Sequence, residues 1–327
     1  MRMINGRAVN PVGLGCMSLS WAYGVPPGEA EGIALLHRAL DLGYDHFDTS
    51  NIYGLGHNET LIGKAIKGKR DKLFLASKMG IIVDGPRRGI DCSPEAIRRC
   101  IDETLARLQT DHVDLYYLHR FDPKVPIADM IGALADLVQA GKIGSIGVSE
   151  WSAAHIREAH AIHPIAAVQT EYSPMTRNPE IAVLDTCRDL GIAFVAFSPV
   201  GRGALAAGVD DPAALAEKDL RRNLPRFQPD HWPHNRQLVQ QYNAIAAAHG
   251  VTPAQLSLAW VLARGPHVVA IPGTARIDHL AENIARWDWQ LPASAMAAID
   301  ALINQASVSG PRYSPAMQAT IDTEEFA

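Results

Sequence analysis

Asp48, Tyr53, Lys78 and His119 are the residues of this chain whose types and placement point to chemistry. Asp48, Lys78 and His119 close three successive apolar runs, YDHFD, LFLASK and VDLYYLH, and Tyr53 lies shortly after the first. Each run reads as a buried parallel strand, so an acid, a phenol, an amine and an imidazole share one rim. A phenol, with an ordinary pKa of about 10, is protonated at neutral pH and can donate to a developing alkoxide. A neighbouring ammonium favours the phenolate and lowers that pKa, and an acid paired with the ammonium holds it in place. An imidazole can orient a carbonyl and stabilise charge that develops on its oxygen. One such residue alone is as readily structural, satisfying backbone groups; four at matching strand ends make the argument.

The elements that must position them alternate. PVGLGCM reads as a first strand and GEAEGIALLHRALDLG as a helix, with Ile33, Leu36 and Leu40 at helical spacing and Gly43 at its end. The pattern repeats through YDHFD, LFLASK, VDLYYLH, IGSIGVS, AAVQTEY, IAFVAFS and VVAIPG, eight strands in all. Pro94, Pro126 and Pro179 stand near helix starts, and Gly43, Gly141 and Gly191 near helix ends. The expectation is a (β/α)8 TIM barrel, one domain over residues 1–327. A loop over residues 200–235 is inserted between strands seven and eight, with helices over 236–249 and 253–264 after it. A last helix, PASAMAAIDALI, precedes a tail over residues 304–327 that either caps the barrel mouth or is mobile.

Composition narrows the partners. The chain has 327 residues and a formal net charge of −5, without the basic footprint of a nucleic-acid or membrane-surface binder. Its start lacks a secretory pattern and no stretch reaches 18 uninterrupted apolar residues, so a cytoplasmic chain without an anchor is the expectation. Cys16, Cys92, Cys100 and Cys187 are scattered, without zinc spacing, and read as buried thiols rather than disulfides or metal ligands. Lys78 beside the acid would compete with a cation, which argues against a metal-dependent hydrolase.

GYDHFDTSNIYG, ASK and DLYYLH, followed in order by GVS, VQTEYS, AFSPVGRG and IPGTARIDHLAEN, resemble the aldo-keto reductase superfamily over nearly the whole chain. The resemblance implies an NADP-dependent oxidoreductase of a bacterial-type branch, transferring hydride between NADP(H) and the carbonyl or alcohol carbon of a small aldehyde or ketone. Tyr53 would be its general acid/base, with Asp48, Lys78 and His119 in the roles above. By the same resemblance Ser149 and Gln169 hold the carboxamide and Phe197 stacks on the nicotinamide. The loop from Ser198 through Gly201 and Gly203 to Leu205 approaches the pyrophosphate, glycine admitting backbone close to phosphate; a plain turn is the competing reading. No GxGxxG fingerprint is present.

The resemblance likewise implies that Gly273, Thr274, Arg276, Glu282 and Asn283 form the adenosine end. Arg276 can pair with a ribose 2′-phosphate, Thr274 adds a hydroxyl, and Glu282 and Asn283 can meet adenine, so NADP(H) is preferred and NAD(H) remains possible. An exposed arginine at a helix start is the other reading of Arg276. The chain departs from the family pattern at Glu150, where asparagine is common after the serine, and at Arg120, where tryptophan often follows the histidine. Met17, Trp21, Tyr23 and Arg120 are candidate substrate contacts, with Trp151 on the same rim; the aromatics suit apolar or aromatic carbonyl compounds, or Trp21 and Tyr23 merely anchor the loop. Arg87, Arg88 and Arg120 can meet an anionic substrate, though a solvated loop is the commoner fate of paired arginines. The alternative function is a cofactor-sensing binding subunit with this fold and slow turnover.

Overall fold

The computed structural model describes residues 1–84 and 87–326. The chain opens on a hairpin of β1 (Arg2–Ile4) and β2 (Arg7–Val9), then enters the first barrel strands β3 (Leu14–Gly15), β4 (His46–Asp48) and β5 (Phe74–Met79). A second hairpin, β6 (Ile81–Asp84) and β7 (Arg87–Ile90), rises beyond β5; the side chain of Arg87 lies outside the described residues. The barrel resumes with β8 (Leu115–Leu118), β9 (Ile146–Ser149), β10 (Ile165–Glu171), β11 (Ala193–Phe197) and β12 (Val268–Ile271). Each of these strands pairs in parallel with the next, and bridges from Val12 to Ala270 and from Gly15 to Gly273 bring the first against the last. This is the expected (β/α)8 barrel.

Helices α1 (Glu29–Asp41), α2 (His57–Ile66), α3 (Pro94–Leu108), α4 (Ile127–Gln139), α5 (Ala153–Ile162) and α6 (Val183–Leu190) each follow a strand. Then come α7 (Trp232–Ala248), α8 (Pro253–Leu262), α9 (Ile277–Ile284) and α10 (Ala293–Leu302), and α9 packs on α1 to complete the ring. Local chemistry sets the boundaries. Ser93 accepts from the Ala96 backbone N–H at 3.3 Å with Pro94 in the first helical turn, and Gly191 ends α6 at a φ of 68°. The helix expected from Pro179 is instead a 3-10 turn, Asn178–Glu180, followed by α6 from Val183. The inserted loop winds through four short 3-10 segments before α7, which starts at Trp232, earlier than expected.

Strand alternation builds the interior. Phe74 and Ala76 of β5, Leu115 and Tyr117 of β8, Ala193 and Val195 of β11, and Val269 and Ile271 of β12 share one buried cluster. Ile4 and Val9 of the first hairpin join it and plug the barrel floor. Tyr117 fills the space opposite Gly147, where a Cβ would lie 2.4 Å from its ring. Continuing the same parity upward puts Lys78 above Ala76, His119 above Tyr117 and Phe197 above Val195, so the layer at the carboxyl ends is polar while those beneath it are apolar.

After α10 the tail crosses the barrel mouth, burying Arg312, Tyr313 and Thr323 around a last short helix, α11 (Pro315–Gln318). Of the two fates open to the tail, it caps the mouth. The four cysteines are free and buried. Among the described residues, no single helix is long and apolar enough to cross a membrane.

Candidate active site

Asp48 ends β4, Lys78 lies in β5 and His119 follows β8 directly. Tyr53 comes from the turn after β4, which is stitched to β5 by Thr49 N–H donating to Ala76 O at 2.9 Å and Asn51 N–H to Lys78 O at 3.1 Å. The buried Asn58 side chain braces the same turn, accepting from Thr49 Oγ1 at 2.6 Å and donating to Cys16 O at 2.8 Å. All four candidates therefore meet, and all are largely or fully buried. Lys78 Nζ pairs with Asp48, donates to Thr49 O at 2.9 Å and lies 3.4 Å from Tyr53 Oη. Gln169 Nε2 donates to the other Asp48 oxygen at 2.8 Å. The Tyr53 and His119 rings stand edge to face, centroids 6.0 Å apart.

Electrostatics give these groups different states. Burial works against the Lys78 ammonium, but Asp48 and Tyr53 outweigh it and hold its pKa above the ordinary lysine value. Burial raises the Tyr53 phenol above its usual pKa, with Lys78 pulling the other way. The sequence expectation of a lowered phenol pKa is thus corrected: depth in the barrel, invisible in the sequence, is the larger effect. Burial, then Arg120 and Lys78, push His119 well below the usual histidine range, so its imidazole is neutral near pH 7. His119 Nδ1 lies 3.1 Å from Ser50 Oγ, a contact the sequence reading missed although Ser50 stands within the same DTSNIYG run.

These groups open on a cleft of about 770 Å³. Ser149, Gln169, Phe197, Ser198 and Gly203 line its middle and Gly273, Thr274, Arg276, Glu282 and Asn283 its far end. One continuous channel thus joins a proton-donating end to an end with a hydroxyl and a guanidinium, in the size range of roughly 300–1,000 Å³ usual for small-molecule sites. An extended dinucleotide fits that arrangement. Gly201 and Leu205 stand behind it: Leu205 is fully buried, and a Cβ on Gly201 would lie 3.2 Å from its Cγ. Arg276 is exposed at the start of α9, where it pairs through Nε with Asp278 at 3.0 Å and lines the cleft. Met17, Trp21, Tyr23 and Arg120 all line the cleft, Tyr23 with its hydroxyl 3.4 Å from Arg202 Nη1. Trp151 does not; it is fully buried against the Phe121 ring, centroids 5.0 Å apart.

A second buried ionic cluster, unforeseen from the sequence, lies under the tail. Arg312 pairs with Glu150, its Nη1 2.9 Å from Oε2, and its Nε donates to Glu171 Oε2 at 2.8 Å. Arg202 donates to Glu171 at 2.7 and 3.1 Å and to Tyr313 Oη at 2.6 Å. Burial opposes ionisation of Glu171, but Arg202 and Arg312 hold its carboxyl far below the usual range. The Glu150 carbonyl accepts from the backbone N–H groups of Asp322 and Thr323, and Thr323 Oγ1 donates to Oε2 at 3.0 Å. The departure at Glu150 is therefore the anchor of the tail.

The sequence model of the aldo/keto reductase family matches residues 11–304. Aldo-keto reductase yakc [NADP(+)] of Schizosaccharomyces pombe is 41% identical over 96% of this chain and 94% of its own length. The structure of a glycerol dehydrogenase from Gluconobacter oxydans superposes with a TM-score of 0.84 at 27% identity, over 96% of this chain and 97% of that one. An aldo-keto reductase of Klebsiella pneumoniae, solved in complex with NADPH, gives a TM-score of 0.72 at 27% identity over 96% and 99% of the two chains.

Proposed function

The chain belongs to the aldo/keto reductase family, and from that premise we propose that it reduces a small aldehyde or ketone with NADPH, reversibly, with Tyr53 giving the proton. The observation that carries the reading is the Tyr53 hydroxyl, 3.4 Å from the Lys78 ammonium and facing a cleft long enough for a dinucleotide. The nicotinamide, when bound, supplies the hydride. Ser149 and Gln169 would hold its carboxamide, Phe197 its ring, the Ser198 to Gly203 backbone the pyrophosphate, and Thr274 and Arg276 the 2′-phosphate. NADP(H) is the cofactor that the yakc relative's name and the Klebsiella complex carry.

The chain's own groups divide the remaining work. With Ser50 as donor to His119 Nδ1, the neutral ring would keep its proton on Nε2, and Nε2–H would donate to the substrate oxygen. As negative charge grows on that oxygen, Tyr53 Oη transfers its proton there. Lys78 Nζ stabilises the phenolate that remains, and Asp48 keeps Lys78 charged and fixed. Gln169 holds Asp48 from the opposite side. The raised phenol pKa keeps Tyr53 protonated at neutral pH, ready for reduction.

Steady-state assays with NADPH, NADH and a panel of aldehydes and ketones test the reading. NADPH oxidation that depends on the carbonyl compound is expected. Tight NADPH binding without turnover on any of them would instead identify a cofactor-sensing subunit.

A further inference from the structure

We infer that the substrate end of the cleft is built for a carbonyl compound that also carries an oxyanion, a carboxylate or a phosphate, received by Arg120 with Arg88 above it. This rests on the reductase reading and narrows its substrate class.

The argument starts from charge. Among the described residues, five arginines line the cleft, Arg88, Arg120, Arg202, Arg221 and Arg276, against two acids, Asp48 and Glu282, in a chain whose net charge is −5. Three of the five are committed elsewhere: Arg202 to Glu171, Arg221 to Asp219 and Arg276 to Asp278. Arg88 and Arg120 pair with no acid among the described residues. Asp48 belongs to Lys78, and Glu282 lies with Arg276 at the opposite end. The cofactor phosphates are assigned to the Ser198 to Gly203 loop and Arg276, so they do not account for these two cations.

Their placement is specific. Arg120 follows His119, and its Nη1 donates to His119 O at 2.7 Å, which sets the guanidinium beside the proposed carbonyl-binding imidazole. The remaining N–H donors of its planar fork have no partner among the described residues and suit a bidentate oxyanion. Arg120 is only half-exposed, so its charge is less screened than that of a surface arginine. Arg88 sits on the second hairpin opposite Val83, with Ile81 opposite Ile90, and all four line the cleft. That antiparallel register puts Arg88 on the hairpin face turned to the cleft, above an apolar strip. An anion held there orients the carbonyl end toward Tyr53 and His119.

The test compares 4-carboxybenzaldehyde with its methyl ester, and a phosphorylated aldehyde with its dephosphorylated parent, all with saturating NADPH. At least about a tenfold preference in kcat/KM is expected for the anionic member of one or both pairs, carried mainly by KM. The favoured pair tells carboxylate from phosphate. Arg120→Gln and Arg88→Gln should each shrink that ratio, and the double variant should abolish it. Equal kcat/KM for acid and ester, and for both members of the phosphate pair, overturns the inference while leaving the reductase reading intact. So does a ratio that survives in the double variant, or Arg120→Gln lowering both members of a pair equally, since the guanidinium then acts on Tyr53 or His119 rather than on the substrate. Absence of turnover with every compound removes the reductase reading itself.

Discussion

Two buried ionic clusters stand at the carboxyl ends of the barrel strands, and they differ in what they leave unmade. Under the tail, Glu150, Glu171, Arg202 and Arg312 use their charges on one another, and Tyr313 and Thr323 complete the set. On the rim, Asp48 and Lys78 pair in the same way, but Tyr53 and His119 present a phenol and an imidazole to the cleft. Burial and perturbed pKa values are common to both, so neither marks the reactive one. The polar valence left open toward a cavity does.

Removing one partner from each cluster tests the distinction. Lys78→Met is expected to have the largest effect, lowering kcat about 10²–10⁴-fold and destabilising the fold by about 3–5 kcal/mol through the unpaired Asp48. Arg312→Ala should cost a similar amount of stability, about 3 kcal/mol in urea melts, because Glu150 loses its charge partner. Its kinetic effect should appear in KM, since the tail it anchors brings Tyr313 and Met317 to the cleft, with kcat changed less than about tenfold. Replacing the pair together, Glu150→Gln with Arg312→Met, should recover part of the stability. An Arg312→Ala loss of kcat as large as that of Lys78→Met would dissolve the comparison.

Acid separates the clusters again. Glu171 has a depressed folded pKa, so its contribution is complete above the unfolded value of about 4.3 and is lost as the pH falls through the folded one. His46 and His119 are held neutral by burial, so the unfolded chain binds protons that the folded chain refuses once the pH drops below about 6.5. Both terms make stability fall with pH, in two successive windows. His119→Gln should flatten the slope between about pH 7 and 5 and leave the lower limb unchanged. The smallest effect expected is for Ser50→Ala, about tenfold in kcat as the His119 tautomer is freed, with NADPH affinity unaltered.

The barrel was legible because continuous apolar runs alternate with amphipathic ones, and the rim because alternation carries Lys78 and His119 to the inner face. The floor hairpin was not, since strands of three residues show no period. Nor was the tail cluster: Glu150 and Arg312 stand 162 residues apart and no local pattern links them. Trp151 was placed on the rim because it follows a strand end, but residue type cannot say to which side of the wall an aromatic turns. The direction of the Tyr53 shift depends on depth against one ammonium, a balance only coordinates contain.

The central claim is that the Tyr53 hydroxyl supplies the proton, and single-turnover oxidation of bound NADPH by an aldehyde, followed by absorbance in wild type and Tyr53→Phe across pH, tests it most directly. The account predicts a wild-type rate that is flat through neutrality and falls at alkaline pH as the phenol ionises. It also predicts a loss of about 10²–10⁴-fold in Tyr53→Phe, without that limb and with NADPH still bound. A Tyr53→Phe rate equal to wild type, with the alkaline limb retained, would contradict it.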